Sequence, residues 1–546
     1  MKNITRRNLT KAMLLMGAAS SVVSCTTPRT QAVTTSPDPI APLSPGPKPN
    51  VLVIMVDQQN FRTLGCYREL LPPEQAFMWG KTVVDTPNVD RIAKAGALCE
   101  RFMVTSPSCA PSRAALLTGL YPQTAGVPVN NKPMNDSCVT FAQVLKDNGY
   151  ATGYFGKWHL DTGMPGWAPK KKFGFDDNTY MWNRGHWKKL ADTPKGPTVV
   201  PRDAKGKEAT KLDNADEKSF TTDFLTTRTI NFINKNQSTG KPFCVVLSIP
   251  DPHQPESVRK PYSETYRDVK WKLARTYNMP RDEPAPAWCA PMKEVVPGLE
   301  TSTSQRQYFG MIKCIDDNVG RLLAALEKTG ALDNTIIVYT SDHGDMRGEH
   351  RMEYKGNPMD GAARVPFLIT YPGKIAPGTI VRDCAVSSVD FKPTLLALLG
   401  VNDTAKVEGR DLSKIFLGEK FDTAHGKDIV FTRCENWGQW SAAISMKYKL
   451  IMDNSTLWLT DFAKDPDELK NFAYDPAYAP IVKQMAADML DYLKTRNDPH
   501  YTASPLGVKF LEQAAQGTIK KMTPDELKTA QKKYPMTKLW GGGKDD

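Results

Sequence analysis

The sequence predicts an α/β fold: a central, mainly parallel sheet flanked by helices, followed by a smaller C-terminal domain with an antiparallel sheet and a packing helix. Three observations carry this. Continuous apolar runs at residues 50–56 (NVLVIMV), 243–249 (FCVVLSI) and 335–340 (TIIVYT) suit strands buried on both faces. Segments of helical periodicity lie between such runs, which is the alternation of a parallel sheet. Beyond about residue 405 the pattern changes to short strand-like runs at close spacing.

In chain order, the first strand (50–56) ends at Asp57. Residues 86–97 then read as a helix, with Pro87 near its start, Val89, Ile92 and Ala93 at helical spacing, and a Gly near its end. A strand is expected at 100–104, a short helix at 140–148 closed by Gly149, and a strand at 151–155. Residues 183–220 are polar and charged and read as an irregular surface insertion. After the 243–249 strand comes a long amphipathic helix at 304–329, with Met311, Ile315, Val319, Leu322 and Leu326 on one face. The 335–340 strand, a strand at 367–371 and a helix at 395–399 complete the first domain. Runs at 428–432, 441–445, 449–452 and 456–460 predict the antiparallel sheet, and 481–495 the packing helix.

The chain has 546 residues, 40% hydrophobic and 24% charged, which excludes a collagen-like, coiled-coil or wholly disordered chain. Its first 24 residues pair a basic start (Lys2, Arg6, Arg7, Lys11) with an apolar stretch and small residues before Cys25. This is the layout of an export signal, twin-arginine-like, with Cys25 a candidate lipidation site. The expected location is thus periplasmic or lipid-anchored at a bacterial envelope, any anchor being a surface attachment. The expected organisation is a signal at 1–25, a tether at 26–48, a catalytic domain at 49–404 and a C-terminal subdomain at 405–546. No segment has the ~20 continuous apolar residues of a membrane span. The ten cysteines show no paired CxxC spacing, so they read as buried thiols and not as a zinc site. The net charge of +12 suggests an anionic partner. No nucleic-acid-binding motif accompanies it, and the export signal opposes that reading. Removing the four leader cations lowers +12 to +8.

Ligands of open α/β sheets bind beyond the carboxyl ends of the strands. Asp57-Gln58, Gly156-Lys157-Trp158-His159, Asp251-Pro252-His253 and Ser341-Asp342-His343 all follow predicted strands. They bring carboxylates, an amide, a lysine and three of the seven histidines to one rim. Two Asp with an amide are hard oxygen donors suited to Ca²⁺ or Mg²⁺. A lysine and an arginine would clamp a tetrahedral anion, and histidines supply acid and base near neutral pH. Cys109 is the candidate nucleophile, because residues 109–119 read as a helix whose N-terminus favours anions. By composition alone, a single Cys reads rather as a small buried hydrophobe.

Cys109-Ala110-Pro111-Ser112-Arg113, followed by Leu117-Thr118-Gly119, resembles the C-x-P-S-R signature of the type I, formylglycine-dependent sulfatases. The strand-end motifs, Gly348-Glu349-His350, Lys355 and Arg364-Val365-Pro366 follow in that family's order, and residues 457–473 resemble its closing segment. The resemblance covers most of residues 49–495 and implies the alkaline-phosphatase-like fold. It implies that a maturation enzyme oxidises Cys109 to formylglycine (3-oxoalanine), which joins Asp57 and Asp342 around one calcium ion, Mg²⁺ being less suited. One hydroxyl of the aldehyde hydrate would attack sulfur, and loss of a proton from the other would expel sulfate. By the same resemblance Arg113 and Lys157 stabilise the diolate, His159 is the base of the elimination, and His253 and Lys355 hold sulfate and protonate the leaving oxygen. Gln58 and His343 depart from the commoner Asp-Asp and Asp-Asn pairs. Gln58 is expected as a neutral oxygen ligand, and His343 as a ligand or a sulfate contact. The expected substrate is a sulfated carbohydrate or another sulfate ester; an aryl sulfate and a phosphonate or phosphate diester on the same fold are the alternatives. Trp182, Arg184, His186, Arg347, His350, Arg433 and Trp437 are candidate sugar contacts.

Overall fold

The computed structural model describes residues 47–80, 84–200, 215–282, 286–289, 303–423, 426–435, 439–535 and 537. The export signal, Cys25, residues 26–46 of the tether and Trp437 lie outside them.

An eight-stranded sheet carries the larger part of the chain. Its strands run in the order Thr379–Val381, Ala97–Cys99, Phe367–Thr370, Thr335–Ser341, Asn50–Asp57, Phe243–Pro252, Ala151–Lys157 and Met181–Trp182. Neighbours pair in parallel except around Phe367–Thr370, which is antiparallel to both of its partners. The three central strands, Thr335–Ser341, Asn50–Asp57 and Phe243–Pro252, are buried at every position, as their unbroken apolar runs require. One face of the sheet packs on the Cys109–Thr118 and Phe391–Leu398 helices through Val53, Ala114, Leu117 and Leu395. The other packs on Pro87–Ala95, Thr221–Thr239 and Thr303–Lys328 through Leu52, Ile92, Leu225, Ile315 and Val319.

Four antiparallel strands, Val430–Cys434, Trp440–Ile444, Tyr448–Met452 and Leu457–Asp461, form the C-terminal sheet in sequential order. The Ala479–Thr495 and Pro505–Gln516 helices cover it through Met485, Met489, Leu506 and Leu511. Among the described residues no helix is long and apolar enough to cross a membrane. The nine described cysteines are buried thiols.

Two expectations needed correction, and one helix carried no clear sequence signal. Residues 100–104 supply only the short Phe102–Met103 strand of a separate three-stranded sheet, and the main sheet uses Ala97–Cys99 instead. Residues 183–200 of the 183–220 segment are not simply surface. They form a hairpin of Leu190–Thr193 and Gly196–Val199, and they bury His186 and Lys188. The Thr221–Thr239 helix went unanticipated because its sequence is rich in Thr and Asn, which are weak helix formers.

Candidate active site

Four parallel strands deliver their last residues to one place. Asp57, Lys157, His253 and the Asp342-His343 pair sit at or just past the carboxyl ends of Asn50–Asp57, Ala151–Lys157, Phe243–Pro252 and Thr335–Ser341. The backbone there is tightly fitted. A Cβ on Gly156, whose φ is +121°, would lie 1.8 Å from Ser248 O, so only glycine lets Lys157 leave the sheet at this point. Gln58 (φ 66°) and His159 (φ 61°) adopt left-handed conformations costly for side-chain-bearing residues, a strain that collects at functional sites.

The Cys109–Thr118 helix enters from above this rim, wholly buried and closed by left-handed Gly119. Pro111 is tolerated in its first turn, where an N–H would have no intrahelical acceptor. Asn130 Oδ1 accepts from Ala110 N at 3.0 Å and from Ser108 Oγ at 2.9 Å, fixing the entry of the helix. Cys109 Sγ then lies 3.1 Å from His343 Nε2, 3.2 Å from Lys355 Nζ and 3.9 Å from Asp57 Oδ1.

Arg113, one turn further on and fully buried, organises the carboxylates. Its Nε donates to Asp342 Oδ2 at 2.8 Å and its Nη2 to Asp57 Oδ2 at 3.2 Å. Its Nη1 donates to Lys157 O and Ser248 Oγ. Lys157 Nζ adds a 2.8 Å bond to the same Asp57 oxygen. The Oδ2 atoms are therefore held by cations, while each Oδ1 lies 3.5–3.6 Å from His343 Nε2. Burial alone would raise the Asp57 carboxyl, but Lys157, His253, His186 and Arg113 outweigh it and hold it well below the usual carboxylate range. Burial also lowers His253 and His343, with Lys355 pushing both the same way.

Donor atoms of Asp57, Cys109, Asp342 and His343 lie within 4.8 Å of one another, which is the spacing of a metal site. Gln58 Nε2 is committed to Gln254 and Asp345, whereas its buried Oε1 accepts no hydrogen bond. A buried acceptor left this way suits a cation. The carboxylate and amide oxygens fit a hard divalent ion, and the imidazole is the departure from an all-oxygen set.

His186 comes to the centre. Its Nε2 is 2.7 Å from Lys157 Nζ and 3.5 Å from Asp57 Oδ2, and its ring stacks on His253 at 3.5 Å and 3°. His253 Nε2 in turn is 2.7 Å from Lys355 Nζ. His159 is buried, with Nε2 3.3 Å from Asn131 Oδ1, an atom that also accepts from Arg184 at 2.8 Å. The other candidates have structural surroundings. Trp182 is fully buried in the core against Trp167, which leaves no ring face for a sugar. Arg347 is buried on Gln305 and Glu256. His350 is buried, and its burial together with Arg281, Arg62 and Lys449 lowers its pKa well below the usual value. Arg433 is buried against Glu435 and Asp498. Lys188, two residues after His186, is buried with its ammonium on Asp251 and His253 O, and no periodicity in its polar segment marks it in the sequence.

The fold is of alkaline-phosphatase-like architecture, with carboxylates, cations and imidazoles gathered at the ends of its central strands. The family is given by comparison: residues 49–401 match the Sulfatase family model, and residues 348–495 match that of N-sulphoglucosamine sulphohydrolase, C-terminal. The chain belongs to the sulfatase family and is a hydrolase of sulfuric ester bonds. It is 28% identical over 83% of its length to the uncharacterized sulfatase YidJ of Escherichia coli, covering 88% of that protein. It is 26% identical to an N-acetylglucosamine-6-O-sulfatase of Bacteroides thetaiotaomicron, over 87% of this chain and 89% of that one. Among solved structures, BT4656 in complex with D-glucosamine-2-N,6-O-disulfate superposes with a TM-score of 0.68 at 22% identity, covering 83% of this chain and 99% of that one. A phosphonate monoester hydrolase of Agrobacterium radiobacter superposes with a TM-score of 0.61 at 23% identity, over 82% and 96% of the two chains.

Proposed function

We propose that this sulfatase removes sulfate from sulfated carbohydrates, using a formylglycine made from Cys109 and a calcium ion held by Asp57, Gln58, Asp342 and His343. The observation that carries the reading is the placement of Cys109 Sγ at a helix N-terminus, 3.2 Å from Lys355 Nζ and 3.1 Å from His343 Nε2. An ordinary thiol attacking the sulfur would give an S-sulfonate with no internal means of release. An aldehyde at this position supplies, once hydrated, both the attacking oxygen and that means of release. A divalent cation supplies positive charge opposite the sulfate oxygens.

The chain's own residues do the rest. Arg113 and Lys157 hold the Oδ2 atoms of Asp57 and Asp342, which fixes the carboxylates beside Cys109. Lys355 Nζ and His253 Nε2 share a hydrogen bond, and in this reading they hold the sulfate and hand a proton to the departing alcohol oxygen. Lys157 and His186 bring further donors to the anion, and His159 is the base for the later proton. The charged groups are deeply buried, so each acts at a dielectric well below that of water. A carbohydrate substrate is supported by the glucosamine ligand of BT4656 and by the N-acetylglucosamine-6-O-sulfatase and endo-4-O-sulfatase relatives. The leader and Cys25 support action at the cell envelope after export.

The test is parallel turnover of sulfated monosaccharides, 4-nitrophenyl sulfate and an aryl phosphonate monoester. Highest kcat/KM on a sulfated sugar is expected; a preference for the phosphonate would overturn the reading.

A further inference from the structure

We propose that Lys188 and Asp251 form a positioning pair that holds His186 and His253 in register, and that this pair sets the turnover rate without touching substrate. The inference rests on the reading of the site given under Proposed function.

The pair lies beneath the two histidines. Lys188 Nζ is fully buried and donates to Asp251 Oδ1 at 2.5 Å, to His253 O at 3.1 Å and to Met311 Sδ at 3.2 Å. An ammonium has three N–H groups, and all three are used. Asp251 is equally enclosed, and its second oxygen accepts from Thr222 Oγ1 at 2.5 Å. Each member stands two residues from one histidine: Lys188 follows His186 and Asp251 precedes His253. The two segments come from different parts of the fold, one from the polar 183–200 excursion and one from the end of a central strand. Their imidazoles nevertheless stack at 3.5 Å with 3° between planes.

That parallelism has a consequence for the chemistry. His186 Nε2 meets Lys157 Nζ and His253 Nε2 meets Lys355 Nζ, each at 2.7 Å. A sideways slip of one segment would therefore displace both lysine–histidine couples. A buried ion pair adds little net stability over apolar side chains of similar volume, because desolvation offsets the attraction. Its hydrogen bonds are directional, however, and a fully satisfied network fixes one geometry where apolar packing would accept several. Misplacement of about 1 Å at a reaction centre costs on the order of 100-fold in rate.

The experiment is a double-mutant cycle on the mature enzyme, with kcat and KM measured on 4-nitrophenyl sulfate. The swap Lys188→Met/Asp251→Leu replaces the pair by apolar atoms and avoids leaving one charge buried. It is expected to lower kcat about tenfold or more with KM changed less than about threefold. In a His186→Ala background the same swap should cost much less than in wild type, because the residue being positioned is gone. Thr222→Val, which removes only the outer hydrogen bond, should lower kcat in the same direction by a smaller factor, and it decides the matter if the swap does not fold. Unchanged kcat in both variants, or full additivity with His186→Ala, overturns the proposal. If His186→Ala and His253→Ala themselves leave kcat intact, the reading of the site fails first and the pair falls with it.

Discussion

His343 Nε2 lies 3.1 Å from Cys109 Sγ across 234 residues of sequence. A strand end and a helix N-terminus converge there, and Arg113, one turn along that helix, bonds both Asp57 and Asp342. Breaking the clamp should show how the site is held.

Arg113→Lys keeps a charge but loses the planar fork that reaches both aspartates. Removing one partner of a fully buried ion network costs about 3–5 kcal/mol. Arg113→Lys is expected to lower the urea midpoint by a large fraction of total stability and to lose nearly all turnover. Retention of wild-type stability would mean that Arg113 does not hold the carboxylates.

Metal binding should depend on Gln58. With Nε2 tied to Gln254 and Asp345, its Oε1 is the atom left for a cation. Calcium added to chelator-treated enzyme should raise Tm, by linkage to the folded state. Gln58→Ala should weaken calcium affinity about 10- to 100-fold in isothermal titration, the range seen when a supporting group is lost at a metal site. Equal affinity in the variant would remove Gln58 from the donor set.

Acid stability should depend on His500, which is buried in the C-terminal subdomain with its Nδ1 2.8 Å from Ser441 Oγ. Burial, with Arg433 nearby, lowers its pKa from 6.5 to about 3. The unfolded chain therefore takes up a proton below pH 6.5 that the folded chain refuses. This contribution to stability is present above pH 6.5 and is lost as pH falls toward 3, at about 1.4 kcal/mol per pH unit. His500→Asn should make the loss of stability between pH 6.5 and 5 shallower by about one proton in pH-resolved urea melts. An unchanged slope would contradict it.

Much of this architecture was legible because burial on both faces writes a continuous apolar run. The strands at 50–57, 243–252 and 335–341 could be placed, and with them the residues at their ends. Strand direction could not be read, since a run such as FLIT looks the same whether it pairs parallel or antiparallel; Phe367–Thr370 proved antiparallel. His186 was named only as a possible sugar contact and Lys188 was not named, because a buried charge in a polar segment leaves no periodicity. Trp182 was misread for the opposite reason: an aromatic beside charged residues suits a sugar site or a core equally, and here it packs in the core.

The central claim concerns Cys109, and mass spectrometry of the tryptic peptide spanning residues 102–113 of active enzyme tests it most directly. The account predicts the mass loss that accompanies conversion of the thiol-bearing carbon to an aldehyde with loss of its sulfur, and no turnover in a folded Cys109→Ala variant. Full activity in enzyme carrying only the unmodified thiol would contradict it.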